Sequence, residues 1–184
     1  MARQSDTRTR IQAVARELFA AQGVRDTSLR QISDRLGITK PALYYHFASR
    51  EDLVRSIIQP MIDDTDRFVT AREQAPDRGP GGPRLLLEDY FELMWRHREV
   101  IVMIMRDVST LTELDLTERM FGWRRRLTSL LLGPEVSVAQ RVRATVALGG
   151  MSDCSVEYAH LPLEEVKGPA VEAAAAALGL AAPS

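Results

Sequence analysis

The sequence predicts an all-α protein, with a three-helix N-terminal domain in residues 1–50 and a larger helical domain in residues 51–184. Three observations carry that expectation. Apolar residues recur at i, i+3, i+4 and i+7 along most of the chain, the spacing that lines one face of a helix. No segment alternates with the period of a strand, and no internal repeat is found. Finally, Ser, Thr, Gly and Pro fall at the ends of the periodic runs, where helix caps and stops belong.

Each element follows in order. Ile11, Val14, Ala15, Leu18 and Phe19 define a first helix over about residues 6–22, stopped by Gly23. Thr27 or Ser28 caps a short second helix with Leu29, Ile32 and Leu36 inward, and Gly37 supplies the left-handed residue that ends it. Thr39 caps a third helix, Lys40 to His46, with Pro41 tolerated in its first turn. Leu43 and Phe47 face inward, and Tyr45 is assigned to packing with Phe47. Ser49, Glu51 and Asp52 start a fourth helix that runs to about Glu73, with carboxylates in the first turn favoured by the helix dipole. The stretch APDRGPGGP at 75–83, with three prolines and three glycines, is a loop. Beyond it, Leu85–Trp95 is amphipathic, and Val100–Met105 is apolar on every side and so expected to be buried. A helix carrying Leu116, Met120, Trp123, Leu127 and Leu130 follows, then helices over about 137–160 and 163–178, separated by Pro162.

Composition narrows the class. An apolar fraction of 45% over 184 residues is enough for a core plus a small second one. No apolar run approaches a membrane span, the Arg-rich start lacks the apolar stretch of a secretory signal, and a cytoplasmic location is the default. Cys154 is the sole cysteine, which excludes an intrachain disulfide. The net charge of −1 conceals an uneven distribution: residues 1–60 hold ten Lys or Arg against six Asp or Glu, and the rest holds 14 against 19. The basic end is therefore the candidate for phosphate contact.

A short helix, a glycine turn and a second short helix form a helix-turn-helix pattern, whose second helix is of a size to enter the major groove. Periodicity alone is weak evidence, because Tyr44, Tyr45, His46 and Phe47 could equally be the aromatic core of a small three-helix unit. The string TSLRQISDRLGITKPALYYHFASREDL, Thr27 to Leu53, is more specific. Its LG turn (Leu36, Gly37), its LYYHF cluster (Leu43–Phe47), its basic-acidic-acidic-Leu helix start (Arg50–Leu53) and the upstream IQAVARELFAAQG closely resemble the DNA-binding segment of the TetR family of transcriptional regulators. The resemblance spans roughly residues 8–58. It implies a DNA-binding domain in 1–50 and a ligand-binding and dimerisation domain in 51–184, joined in a dimeric repressor of a pseudo-palindromic double-stranded DNA operator.

Mapped residue by residue, the resemblance places Lys40, Pro41, Ala42, Tyr44 and His46 on the recognition helix and Arg30 outward on the helix before it. Arg30 and Lys40 suit guanine O6 and N7 or phosphate, and Pro41 and Ala42 suit a thymine methyl. Tyr44 and His46 suit phosphate oxygens. Thr27, Ser28 and Thr39 add hydroxyls and amides, and Arg50 stands where the family often has Lys.

The resemblance also implies a small-molecule effector that moves the recognition helices apart through the fourth helix. Met94, Trp95, Met103, Met105, Phe121, Trp123, Met151, Cys154 and Tyr158 lie on predicted helices that could enclose a mainly apolar pocket, although such stripes are more often plain core. Trp95, Trp123 and Tyr158 lead because each carries a hydrogen-bonding group. Arg124, Arg125 and Arg126 are assigned to a solvated helix face. Small residues on the last two helices, Ala144, Ala147, Gly149, Gly150 and Ser152 with Ala170, Ala173, Ala174 and Ala177, fit a four-helix homodimer interface.

An enzyme finds few parts here. Cys154 and His160 fall on different helix faces, although Asp153 and Glu157 share one. His46, His97 and His160 are not at metal-ligand spacing, Asp63, Asp64 and Asp66 form an ordinary exposed face, and GPGGP lacks the lysine and strand of a phosphate loop. No catalytic residue, metal or cofactor is therefore assigned, and no membrane partner. A helical scaffold that no longer binds DNA would have no need of the outward bases Arg30, Lys40 and Arg50.

Overall fold

The computed structural model describes residues 2–74, 82–106 and 116–180, and every element among them is helical. In chain order these are α1 (Ala2–Gln22), α2 (Leu29–Leu36), α3 (Lys40–His46), α4 (Arg50–Gln74), α5 (Gly82–Arg96), α6 (Arg98–Arg106), α7 (Leu116–Leu132), α8 (Val138–Glu157) and α9 (Leu163–Leu178). α1 starts four residues before the expected Asp6. α8 stops at Glu157 because Tyr158 leaves helical geometry (φ −101, ψ 20) and a turn leads into Pro162. Of the expected 75–83 loop, residues 75–81 lie outside the described residues, and Gly82 already belongs to α5.

Two compact units emerge: Met1–Ile62 with Glu99–Leu116, and Asp63–Arg98 with Thr117–Ser184. In the first, α1 packs on α2 and α2 on α3. Its core holds Ile11, Ala15 and Phe19 of α1 at successive i+4 positions, Ile32, Leu43 and Phe47, then Leu53 and Ile58 of α4, all fully buried. Burying a side chain of this size contributes about 1.5–3 kcal/mol. Phe47→Ala is accordingly expected to lower the unfolding free energy by about 3–5 kcal/mol, read as a lower denaturation midpoint at unchanged slope. α6 adds Val100, Met103 and Ile104 to this core but exposes Met105 at 52%, so it is amphipathic rather than buried all round. The charged residues Arg98, Glu99 and Arg106 at its ends keep the remaining face in contact with water.

α4 runs for 25 residues with Pro60 inside it. Proline has no N–H, so the Ser56 carbonyl four residues earlier loses its helical donor. The Gln12 side chain supplies one instead, donating from Nε2 to the Ser56 carbonyl at 3.3 Å and to its Oγ at 3.0 Å. The proline is thus accommodated by a side chain from α1.

In the second unit α9 packs along α8 and against α5, and α5 also packs on α8. The small residues Ala144, Ala147, Ala170 and Ala174 are buried within the single chain, while Gly150 and Ala173 remain exposed. α7 is joined to the second half of α4 by a polar ladder. Trp123 Nε1 donates to Asp66 at 2.6 Å, Arg119 to Asp66 at 3.2 Å, and Arg126 to Glu73 at 2.6 and 2.8 Å and to Thr70 at 3.0 Å. The Arg126 guanidinium holds the Glu73 carboxyl below the usual carboxylate range. The 124–126 run is therefore not one solvated face: Arg126 is paired, Arg124 is half-buried and Arg125 is exposed. Nor are the aspartates an idle exposed face, since Asp64 accepts from His97 Nε2 at 2.9 Å and from Arg67.

Candidate nucleic-acid interface

The interface is assembled by local chemistry. Ser28, in extended conformation, caps α2 by accepting from the Gln31 amide at 3.2 Å, while the Gln31 side chain accepts from the Ser28 amide at 2.7 Å. This capping box satisfies two otherwise unpaired groups at the helix start. α2 ends on Gly37 at φ 65 and ψ 30, a left-handed conformation disfavoured for a residue with a Cβ. The Gly37 amide donates to Asp34 at 3.2 Å and the Ile38 amide to Ser33 at 3.1 Å, closing the turn. Thr39 then caps α3 through the Ala42 amide at 3.4 Å, and Pro41 fits in the first turn, where no helical donor is needed.

α3 seats itself by Leu43 and Phe47, both fully buried. Its other face carries Lys40, Pro41, Tyr44 and Tyr45 exposed, with Ala42 and His46 half-exposed. Tyr45 is not a packing residue: it is 74% exposed and its ring stands edge-on to His46 at 5.4 Å. At 100° per residue it lies about 200° from Leu43, so the two cannot share a face. The Lys40 ammonium lies 5.6 Å from the Tyr44 ring centroid. Arg30 projects from α2 with its side chain 83% exposed, 3.6 Å from Asp34, an exposed pair weak enough to exchange for another anion.

Two expected contact residues sit differently. Thr27 is fully buried, donating its hydroxyl to the Gly23 carbonyl at 2.7 Å and accepting from Gln22 at 3.1 Å. Arg50 is half-buried and reaches back to the turn after α1, donating to the Arg25 carbonyl at 3.1 Å and Val24 at 3.5 Å. Glu51 beside it is held below the usual carboxylate range by its backbone hydrogen bond and by Ser49.

The candidate ligand residues are dispersed. Met94, Trp95, Trp123 and Met151 are buried in the second unit, Cys154 is half-buried, and Tyr158 and Phe121 are 44% and 50% exposed. Met103 lies in the first unit. The Trp123 N–H is engaged by Asp66, and Arg98 stands 5.1 Å over the Trp95 ring. Burial, with Asp153 nearby, raises the Cys154 thiol above its ordinary range. One buried polar group was not singled out from the sequence: Tyr90 of α5, whose phenol burial pushes up to about 12, with Arg124 opposing and Asp153 reinforcing the shift. The position of Tyr90 on the apolar face with Leu86, Leu87, Leu93 and Met94 is the available signal. A groove of about 350 Å³ in the same unit is lined by Asp64, Arg67, Arg72, Asp89, Glu92 and Arg96, among others, and none of the candidate ligand residues lines it. Its acids are already paired, with Arg67, Arg72 and Lys167.

A family model described as bacterial regulatory proteins, tetR family, matches residues 11–57, which cover this interface. The chain is 42% identical over 60 residues to the HTH-type transcriptional repressor KstR2 of Rhodococcus jostii, an alignment covering 33% of this chain and 29% of that one. Curated relatives of this kind are matched over less than half of their length. Solved structures align more fully. The ketosteroid transcriptional regulator KstR2 of Mycobacterium tuberculosis superposes with a TM-score of 0.75 at 21% identity, covering 94% of this chain and 93% of that one. A TetR/AcrR-family regulator from Thermobifida fusca superposes with a TM-score of 0.60 at 26% identity, covering 92% and 96%. Residues 11–57 are thus similar to the DNA-binding segment of that family, and the fold of the described residues is that of its solved members. These relatives and neighbours are transcriptional regulators rather than enzymes.

Proposed function

We propose that the chain is a dimeric transcriptional repressor that holds a pseudo-palindromic operator through α3 and releases it when a small-molecule effector binds the second unit. The observation that carries this reading is the two-helix unit closed at Gly37, which fixes α3 by Leu43 and Phe47 and leaves Lys40, Pro41, Ala42, Tyr44 and His46 facing out beside Arg30. Lys40 and Arg30 are the direct-readout or phosphate cations, Tyr44 and His46 set the register, and Ser28 and Thr39 hold the starts of their helices while facing the backbone. Thr27 and Arg50, engaged internally, support this surface from behind.

A dimer is supported by the outer face of α8, where Val138, Val142 and Val146 repeat every fourth residue at 67%, 57% and 61% exposure. Pairing such ridges across a two-fold axis buries them, and a dimer that reads both halves of an inverted repeat needs its two α3 helices about 34 Å apart, one turn of DNA. Because α4 begins in the first unit and ends in the second, it is one continuous helix through which effector binding can reach α3. A protein of this kind works in the cytoplasm, where the operator is.

Salt dependence tests the electrostatic part. Arg30 and Lys40 from each of two protomers predict that log K falls with log salt at a slope of about −3 to −4, measured by fluorescence anisotropy on duplex DNA between low and moderate salt. A slope near zero contradicts the proposed phosphate contacts.

A further inference from the structure

The last carbonyls of a helix have no donor within it, and α3 is only seven residues long. How its C-terminus is fixed therefore governs how it stands on the rest of its unit. α3 stops because Phe47 turns to extended backbone, φ −141 and ψ 115, and drops its ring into the core. There the Arg8 guanidinium of α1 donates from Nη1 to the His46 carbonyl at 2.9 Å, and its central carbon lies 4.3 Å from the Phe47 ring centroid. One side chain thus meets both groups left by the break in α3. It also places a cation at the negative end of the helix dipole.

We propose that Arg8 is a positioning residue for the DNA-reading helix: it sets the seat of α3 without touching DNA. The proposal rests on the reading of α3 as that helix. Arg8 is exposed and sits in a basic segment with Arg3 and Arg10, so composition alone would assign it to phosphate. The geometry assigns it to the protein. A guanidinium can offer an N–H to a carbonyl while lying over an aromatic ring, whereas an ammonium is a compact point charge. Charge alone is therefore a poor substitute for Arg8.

The test compares the full chain with Arg8→Ala and Arg8→Lys. Without DNA, amide hydrogen exchange at residues 43–47 is expected to rise about fivefold or more in Arg8→Ala, with α2 amides at wild-type rates, and Arg8→Lys is expected to recover less than half of the lost protection. With a duplex enriched from a random pool by the wild-type chain, Arg8→Ala is expected to bind several-fold more weakly at an unchanged salt slope. Wild-type exchange at 43–47 in both variants overturns the proposal. So does a slope shallower by about 0.9 per protomer, which would make Arg8 a phosphate contact. If the wild-type chain enriches no duplex yet α3 exchange rises in Arg8→Ala, the seating role stands and the operator reading fails.

Discussion

Replacing Lys40 and Tyr44 together by alanine is expected to abolish sequence-specific DNA binding while the protein keeps its fold and oligomeric state. Both side chains are exposed on α3, Tyr44 at 44%, and neither belongs to the Leu43 and Phe47 pair that seats the helix. Their loss removes one cation and one hydroxyl from each half-site. A good base contact is worth about 1–3 kcal/mol of discrimination. Specific sites exceed non-specific ones by about 4–10 kcal/mol. Losing the Lys40 base contact at two half-sites removes about 2–6 kcal/mol of that margin, and losing the Tyr44 phosphate contact that sets the register removes more, so affinity for the preferred site is expected to fall by about a thousandfold. Anisotropy titration on preferred and scrambled duplexes reads the effect, with circular dichroism and sedimentation as controls. Unchanged preference for the selected duplex would remove α3 from the reading role.

The second large effect concerns assembly. Val142→Glu with Val146→Glu puts two carboxylates on the exposed ridge of α8. In a two-fold interface each faces its own copy or a near neighbour, so like charges would be buried together. The double variant is expected to sediment as a monomer. Linking two half-site contacts raises affinity by about 10²–10⁴-fold, and the monomer is expected to lose that factor on an inverted repeat while binding a single half-site as the wild-type protomer does. A variant that remains dimeric would place the interface elsewhere on the chain.

What was legible in the sequence follows the range of the interactions. The Thr39 cap, the left-handed Gly37 and the bounds of α3 are all decided within a few residues, and periodicity and cap chemistry reach them, while for α2 they narrow the cap to Thr27 or Ser28. The inward pair Leu43 and Phe47 obeys the same local rule. Tyr45 obeys it too: its position two residues from Leu43 puts it on the opposite face, and an aromatic ring does not override that angle. Partnerships across the chain were not legible. Gln12 meets Ser56 across 44 residues, Arg8 meets His46 across 38 and Arg50 meets Val24 across 26. Asp66 with Trp123 and Glu73 with Arg126 likewise span two helices, so their charges looked like ordinary solvated faces. The burial of Thr27 follows from the turn between α1 and α2 closing on its hydroxyl, which no cap pattern reveals.

Whether the outward face of α3 reads a DNA sequence is decided by selecting bound duplexes from a random pool with the purified protein at moderate salt. The expected result is enrichment of an inverted repeat whose half-site centres lie about one helical turn, 10–10.5 base pairs, or a multiple of it apart, protected in footprinting and lost with the Lys40 and Tyr44 double variant. A folded, assembled protein that enriches no sequence, or one whose enriched sequence the double variant binds equally well, would contradict it.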